Sequence, residues 1–331
     1  MSFKEIAGNQ QVKQILRLSL KKGRLPNSLL LAGPAGCGKL KTALTVAKAL
    51  NCLEMTDDSC DRCDSCLRLD RGNHPNVRLV TRQKNREQIV KEQIEEVNYL
   101  AGLRPWNQGR TVFIIDEADR LNETVANSLL KTLEEPHSFV YFILITEDLQ
   151  LILPTIRSRC QMLRFNPLSQ EDIEKALKEK GLPEDRAALM ASAADGNLEA
   201  IQDLSWDEFL AGRNRAWLTF RQLLEACEPE DFLNLVASRT RKDSLFGFQE
   251  ILKFFSVFFR DLLVVYKNKS EYLLNQDLKE ELGKIAKLIT EAGAVEGVRT
   301  VEDYLRRLKK NPNLSIMSNE IVIFFRELRH V

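Results

Sequence analysis

Histidine is scarce in this chain of 331 residues, which holds three, at His74, His137 and His330. With so few, and with nothing that marks an acceptor pocket, a free-standing phosphoryl transferase or redox enzyme has little support. An excess of charge of either sign is also missing, 48 basic side chains standing against 47 acidic ones, which argues against a nucleic-acid tail or a disordered polyelectrolyte. No apolar run approaches the ~18 residues of a membrane span. The opening segment MSFKEIAGNQQVKQ has neither the charged flank nor the apolar stretch of a signal peptide. The expectation is a cytoplasmic protein with no membrane partner and reduced thiols.

What is present fits a globular protein, with 44% hydrophobic and 29% charged residues. At ~100 to 200 residues per domain the length gives two or three domains. Residues 1–166 carry 24 Lys+Arg against 19 Asp+Glu and residues 167–331 carry 24 against 28. That asymmetry permits phosphate or DNA contact by the front half without demanding it.

Three apolar runs stand out: SLLLA at 28–32, TVFIID ending at Asp116 with Glu117 next, and FVYFILIT ending at Thr146. Runs of this kind separated by helical patterns predict an α/β fold with a parallel sheet covered on both faces, its ligand site at the strand ends. After Pro167 the strand signal stops. SQEDIEKALKEKG, PEDRAALMASAADG and NLEAIQDLSWDEFL read as three helices over 167–208, and residues 209–331 read as a further all-helical domain. The aromatic stripe from Phe246 to Phe259 reads as helix core or, secondarily, as a partner surface.

Gly33, Gly36, Gly38 and Lys39 fit G-x-x-x-x-G-K between a predicted strand and a predicted helix. Backbone N–H groups of such a loop cradle phosphate oxygens, and the lysine faces the outer phosphates. The competing reading is a Gly-rich turn with a helix-start lysine. The next position, where a hydroxyl would ligate magnesium, is Leu40. Thr42 lies ~200° round the helix and should not substitute. Asp116 and Glu117 close the second strand, where an Asp can hold magnesium through water and a Glu can orient or deprotonate an attacking water. Alone, such a pair also reads as a helix cap or solvated turn. Thr146 is placed to touch a terminal phosphate, although a lone Thr there also reads as structural.

Cys52, Cys60, Cys63 and Cys66 give C-x7-C-x2-C-x2-C between helical segments. Four thiolates so close predict tetrahedral structural zinc, since a C-x2-C turn brings two sulfurs to one ion at ~2.3 Å. A redox pair, an iron–sulfur cluster or unliganded thiols are the alternatives. His74 reads as a turn residue, and Cys37, Cys160 and Cys227 as small buried side chains.

These motifs, in this order, resemble the clamp-loader branch of the AAA+ ATPases. The segments that carry the resemblance are GRLPNSLLLAGPAGCGK, the four-cysteine insert, FIIDEADRLNETVANSLLKTLEEP and LPTIRSRCQMLRF. It covers residues 1 to about 205 strongly and the rest weakly. It implies an AAA+ P-loop sheet domain with a zinc knuckle over 1–166, a helical lid over 167–208 and an all-α collar over 209–331. It also implies ATP or ADP with magnesium at the loop, and assembly with gamma or tau and delta subunits into a five-membered ring that loads a sliding clamp on primed DNA. In that family Ser-Arg-Cys sends its arginine into a neighbour's ATP site. The matching residues are Ser158, Arg159 and Cys160, and fingers of this kind are worth ~10³ to 10⁵ in rate. IAGNQ at 6–10 resembles the box near the adenine. Gly196 to Ile201 resembles the second sensor, with Glu199 where active members carry Arg. Leu40 and Glu199 together imply a stator whose own site is deficient in hydrolysis. The alternative, an active gamma-like ATPase, is motivated by Lys39, Asp116 and Glu117.

Overall fold

The middle of the sheet is built from the three apolar runs. β1 (Ser28–Ala32), β3 (Thr111–Ile115) and β4 (Val140–Thr146) are buried almost without interruption, as expected of strands with helices on both faces. Two further strands, β2 (Val77–Val80) and β5 (Gln161–Arg164), complete a five-stranded sheet in the order β2-β3-β4-β1-β5, every pairing parallel. Both additions are edge strands with mostly exposed or half-buried side chains, so neither produces an apolar run. β1 lies between β4 and β5, and its register pairs Ala32 with Thr146 and with Arg164.

The computed structural model describes residues 2–55, 57–83, 86–225, 241–308 and 312–328. Cys227, His330 and the side chain of Phe246 lie outside the described residues. Two compact units emerge: Met1–Ile173 with Gly196–Glu199, and Glu174–Asp195 with Ala200–Val331. In the first unit the sheet is accompanied by α1 (Gln10–Lys21), α2 (Lys39–Leu50), α3 (Asp64–Asp70), α4 (Lys91–Ala101), α5 (Glu123–Glu134) and the single turn α6 (Pro154–Arg157). Ile94 and Val97 of α4 and Ala126 and Leu129 of α5 join Phe113 and Phe142 in one buried cluster, and those two rings stack at 5.4 Å. Asn122 caps α5, its Oδ1 accepting from Val125 N at 3.0 Å.

Beyond α7 (Gln170–Glu179), the second unit is helical: α8 (Glu184–Ala193), α9 (Trp206–Glu225), α10 (Arg241–Tyr266), α11 (Lys279–Ile285), α12 (Glu291–Leu308) and α13 (Leu314–Glu327). The aromatic stripe packs inward. Phe220 of α9 lies 5.3 Å from Phe255, 4.9 Å from Phe259 and 5.6 Å from Phe325, centroid to centroid, and Phe248, Phe255, Phe258 and Phe259 are fully buried. Two side-chain networks pin this unit's loops. Asp261, fully buried, accepts from Asn275 N at 2.9 Å and Leu274 N at 3.1 Å. Arg213 donates to both carboxylate oxygens of Asp277 at 2.9 and 2.6 Å.

Two tests follow from this packing. A methyl at Gly297 of α12 would lie 2.5 Å from the Phe259 ring, so Gly297→Ala should destabilise the protein by about 1–3 kcal/mol through overpacking, read as a lower thermal midpoint. The Arg213 hydrogen bonds hold the Asp277 carboxyl below its ordinary 3.8, against the opposing pull of partial burial. A depressed carboxyl stabilises the fold above its unfolded value and ceases to do so as pH falls through the folded one. Asp277→Asn should therefore cost about 1 kcal/mol at pH 7, a figure discounted for the exposure of the carboxylate. The gap to wild type in urea denaturation should close as pH falls below 3.8.

Candidate functional site: the phosphate loop and the four-cysteine module

The loop begins where β1 runs out. Gly33 N donates to Thr146 O at 3.2 Å, and a Cβ on Gly33 would lie 2.4 Å from the carbonyl oxygen of Phe165. Only glycine fits between these two strand exits. Gly36 and Gly38 hold φ of +65° and +88°, the left-handed region that costs other L-residues roughly 1–2 kcal/mol. Lys39 follows as the first residue of α2, 6% exposed, with Nζ donating to Gly33 O at 2.8 Å and Pro34 O at 2.5 Å. Leu40 lines the adjacent cleft. Thr42 is fully buried and spends its hydroxyl on Gly38 O at 2.7 Å, in keeping with its place on the far side of the helix.

Asp116, Glu117 and Thr146 meet Lys39 in one cleft of ≈ 400 Å³. Burial pushes the Asp116 carboxyl up, and its neighbours Glu117 and Asp119 add to this while Lys39 opposes it. Its Oδ1 accepts from Glu117 N at 3.0 Å. Glu117 has φ +52°, and Arg82 Nε donates to its two oxygens at 3.0 and 2.8 Å. Thr146 Oγ1 lies 2.9 Å from Asp119 Oδ1 and 3.0 Å from Asp148 O, and it accepts from Asp148 N at 3.1 Å. The cleft thus gathers five carboxylates, on Asp116, Glu117, Asp119, Glu147 and Glu199, against the charges of Lys39 and Arg120. Glu199 is raised, first by loss of water around it and then by Asp116 and Glu147, with Lys39 opposing.

Sequence reasoning did not find Arg82, Asp119, Arg120 or Glu147, and it placed Asn197 only within the segment resembling the second sensor, with no role of its own. Asp119 alone had a local signal, two positions after Glu117. Asn197 stands beside the loop, since a Cβ on Gly36 would fall 1.6 Å from its Oδ1, and Leu198 N donates to Gly36 O at 3.2 Å. The IAGNQ box closes the other side. Ile6 lies under Gly38, and Asn9 Nδ2 donates to Cys37 O at 3.4 Å and Asn166 O at 3.1 Å. Amides, lysine and space for a phosphate chain are present, whereas a first-turn hydroxyl for magnesium is not.

Arg159 sits apart from this cleft, between α6 and β5. Its Nε donates to Glu134 Oε1 of α5 at 2.6 Å, and Nη1 to Thr155 O at 2.9 Å. Ser158 Oγ donates to Thr155 O at 3.0 Å. Burial pushes the Cys160 thiol up to about 12, so it is chemically quiet.

The four cysteines converge. Their Sγ atoms all lie within 4.8 Å of one another, Cys60 to Cys66 being 4.0 Å, and all are free thiols. Tetrahedral zinc with ~2.3 Å bonds needs sulfur separations of ~3.8 Å, so the donor set fits with small adjustments. Met55 N points to Cys52 Sγ at 3.4 Å and Cys63 N to Cys60 Sγ at 3.3 Å. Burial raises the Cys63 thiol, but hydrogen bonds from the Leu53 and Cys66 amides outweigh it and leave Cys63 at about 7. His74 is a buried turn residue whose Nδ1 accepts from Asn76 N at 3.2 Å and whose Nε2 lies 3.0 Å from Ser65 Oγ. Both ring nitrogens are thereby committed, leaving the cysteines as the donor set.

Among the described residues, no helix is long and apolar enough to cross a membrane. Residues 8–169 match the family model described as DNA polymerase III, delta subunit, and residues 209–323 match DNA polymerase III, delta subunit, C terminal. The chain is 30% identical over 334 residues to DNA polymerase III subunit delta' of Bacillus subtilis, with 99% of each protein covered. To DNA polymerase III subunit gamma of Buchnera aphidicola it is 33% identical over 213 residues, 61% of this chain and 57% of that one. A solved DNA polymerase III gamma subunit-related protein from Thermotoga maritima covers 96% of this chain and 99% of its own at 18% identity, with a TM-score of 0.45. The end-to-end match to delta', with both halves of the chain meeting their own family models, makes this chain a member of the DNA polymerase III delta' family, a clamp-loader subunit.

Proposed function

We propose that this chain is the stator of the DNA polymerase III clamp loader, a subunit that lends Arg159 to the ATP site of a neighbouring gamma or tau subunit and does not itself hydrolyse ATP. The observation that carries this is the separation of two features. Arg159 stands in an α6–β5 turn away from the chain's own cleft. That cleft meanwhile has Leu40 in place of a hydroxyl and five carboxylates around one phosphate-facing lysine. A carboxylate at Glu199 repels a polyphosphate where a guanidinium would attract it. If ATP or ADP with magnesium enters, the amides around Gly33, Gly36 and Gly38 and the Lys39 ammonium would hold the phosphates, and Asp116 would face the metal. Glu117, clamped by Arg82, is poorly free to orient a water, and Thr146 is partnered within the protein.

In this reading the partners are gamma or tau and delta, with the sliding clamp and primed DNA reached through the assembled ring in the cytoplasm. Residues 1–166 serve as the nucleotide-type sheet domain, 167–208 as lid and 209–331 as collar. The cysteines at 52, 60, 63 and 66 hold a structural zinc whose shell is closed by four sulfurs. A second reading, an active gamma-like ATPase, is favoured by the meeting of Lys39, Asp116 and Glu117 in one cleft.

The deciding assay is ATP turnover in the complex reconstituted with gamma and delta, clamp and primed DNA. Arg159→Ala should assemble normally and lower turnover at least ~10-fold, with ~10³ or more within reach for a finger; undiminished turnover would sink the stator reading. The chain alone with magnesium and ATP should turn over nothing. Turnover abolished by Lys39→Ala would establish the motor instead. In a thiol titration at neutral pH, Cys160, pushed up to about 12, should stay unreactive in the folded protein. The four module thiols should react only after chelation, with zinc released in step.

A further inference from the structure

The helix that carries the phosphate loop holds a buried lysine in its last turn, paired with two acids that are themselves a third exposed. Lys48 lies in the last turn of α2, and its side chain is fully buried. Its Nζ donates to both oxygens of Asp70 at 2.8 and 2.6 Å and to Asp61. A buried ammonium is tolerated only when paired and hydrogen-bonded, and both acids come from the cysteine module. Asp61 stands between Cys60 and Cys63. Asp70 closes α3 one turn beyond the buried Cys66, on the same face.

Asp61 sits at φ +57°, a left-handed conformation that Asp tolerates better than most residues but that still needs local constraint to persist; Ser59 Oγ donates to its Oδ1 at 2.9 Å. The flanking Cys60 and Cys63 supply that constraint, one amide-to-sulfur contact already closing the turn at 3.3 Å. A metal joining the four sulfurs would fix the turn, and with it the carboxylate that neutralises Lys48.

We propose that the four-cysteine module clamps the phosphate-loop helix through Lys48, so that releasing its metal loosens the last turns of α2. The proposal rests on the zinc reading above. Lys48 is a positioning residue and touches no sulfur. With the module open, Asp61 and Asp70 lose their fixed places, and the ammonium must reach water by fraying the end of α2. The same helix begins at Lys39, so one rigid element, ~1.5 Å long per residue, joins the metal module to the phosphate loop.

Metal analysis comes first, because a chain purified without zinc would refute the zinc reading itself and the clamp with it. With zinc present, hydrogen exchange of the full chain is followed by mass spectrometry before and after chelation. Amides of residues 43–50 should exchange at least ~10-fold faster once the metal is removed, while β3 and β4 keep their protection. In Lys48→Met, which buries no charge, the response of α2 to chelation should fall below ~2-fold. Unchanged protection of α2 in chelated wild type would refute the clamp while leaving zinc in place. So would an equal loss of protection across β3 and β4, since the metal would then support the whole sheet. An α2 response in Lys48→Met as large as in wild type would show that the coupling bypasses this side chain. If that variant does not fold, the wild-type comparison of α2 with β3 and β4 decides alone.

Discussion

The functional edge depends on a close approach at Gly33. β1 is flanked on both sides, and at its exit the chain must pass between Thr146 at the end of β4 and Phe165 beyond β5. Gly33 N bonds the first, and its missing Cβ makes room for the carbonyl oxygen of the second. From that point the loop can only rise above the sheet, and left-handed Gly36 and Gly38 turn it into α2. Parallel strands all deliver their carboxyl ends to one side. Asp116 and Thr146 therefore arrive beside the loop as a consequence of strand register, without a local signal drawing them together.

What those residues can do once assembled is decided by charge. An ordinary phosphate loop balances a polyphosphate with lysine, magnesium and a sensor arginine. Here Lys39 and Arg120 share a cleft with five carboxylates, and Lys39 bonds the loop's own Gly33 and Pro34 carbonyls. The side chains that would greet a nucleotide are therefore already engaged: Lys39 with carbonyls of its own loop, Glu117 with Arg82 and Thr146 with Asp119. The same surface economy is absent at Arg159, whose pairing with Glu134 is partly exposed. Exposed pairs are weak in water, and this guanidinium is also held by Thr155 O at 2.9 Å.

Legibility from sequence followed burial. β1, β3 and β4 were readable because strands covered on both faces must be continuously apolar, and the loop and cysteines because their chemistry needs fixed local spacing. β2 and β5 were not readable, since an edge strand such as Val77–Val80 shows exposed Arg78 and Leu79 and no period to detect. The Arg82–Glu117 pair joins residues 35 positions apart, and Asn197 reaches Gly36 across most of the first unit's sequence. Pairings of that kind come from topology alone. The absence of a hydroxyl at Leu40 was visible in one position, while the crowding of Glu147 and Asp119 into the same cleft was not.

The cysteine module shows why an insert can be attached firmly with little apolar surface. Leu53 is 75% exposed, although Cys66 and Leu69 are buried, and several of the module's links to the sheet domain run through acids: Asp57 to Arg17 at 2.8 Å, Asp58 to the Phe3 amide at 3.1 Å, and Asp61 and Asp70 to Lys48. Exposed pairs such as Asp57–Arg17 add ~1 kcal/mol or less. The buried one differs, because losing the acids strands the Lys48 ammonium in a dry site. Attachment through Lys48 is thus strong only while the acids stay in place, Asp61 on the turn between Cys60 and Cys63 and Asp70 at the end of the helix that carries Cys66. An insert held by apolar packing would lack that dependence, and its metal could be lost without consequence for the helix beneath.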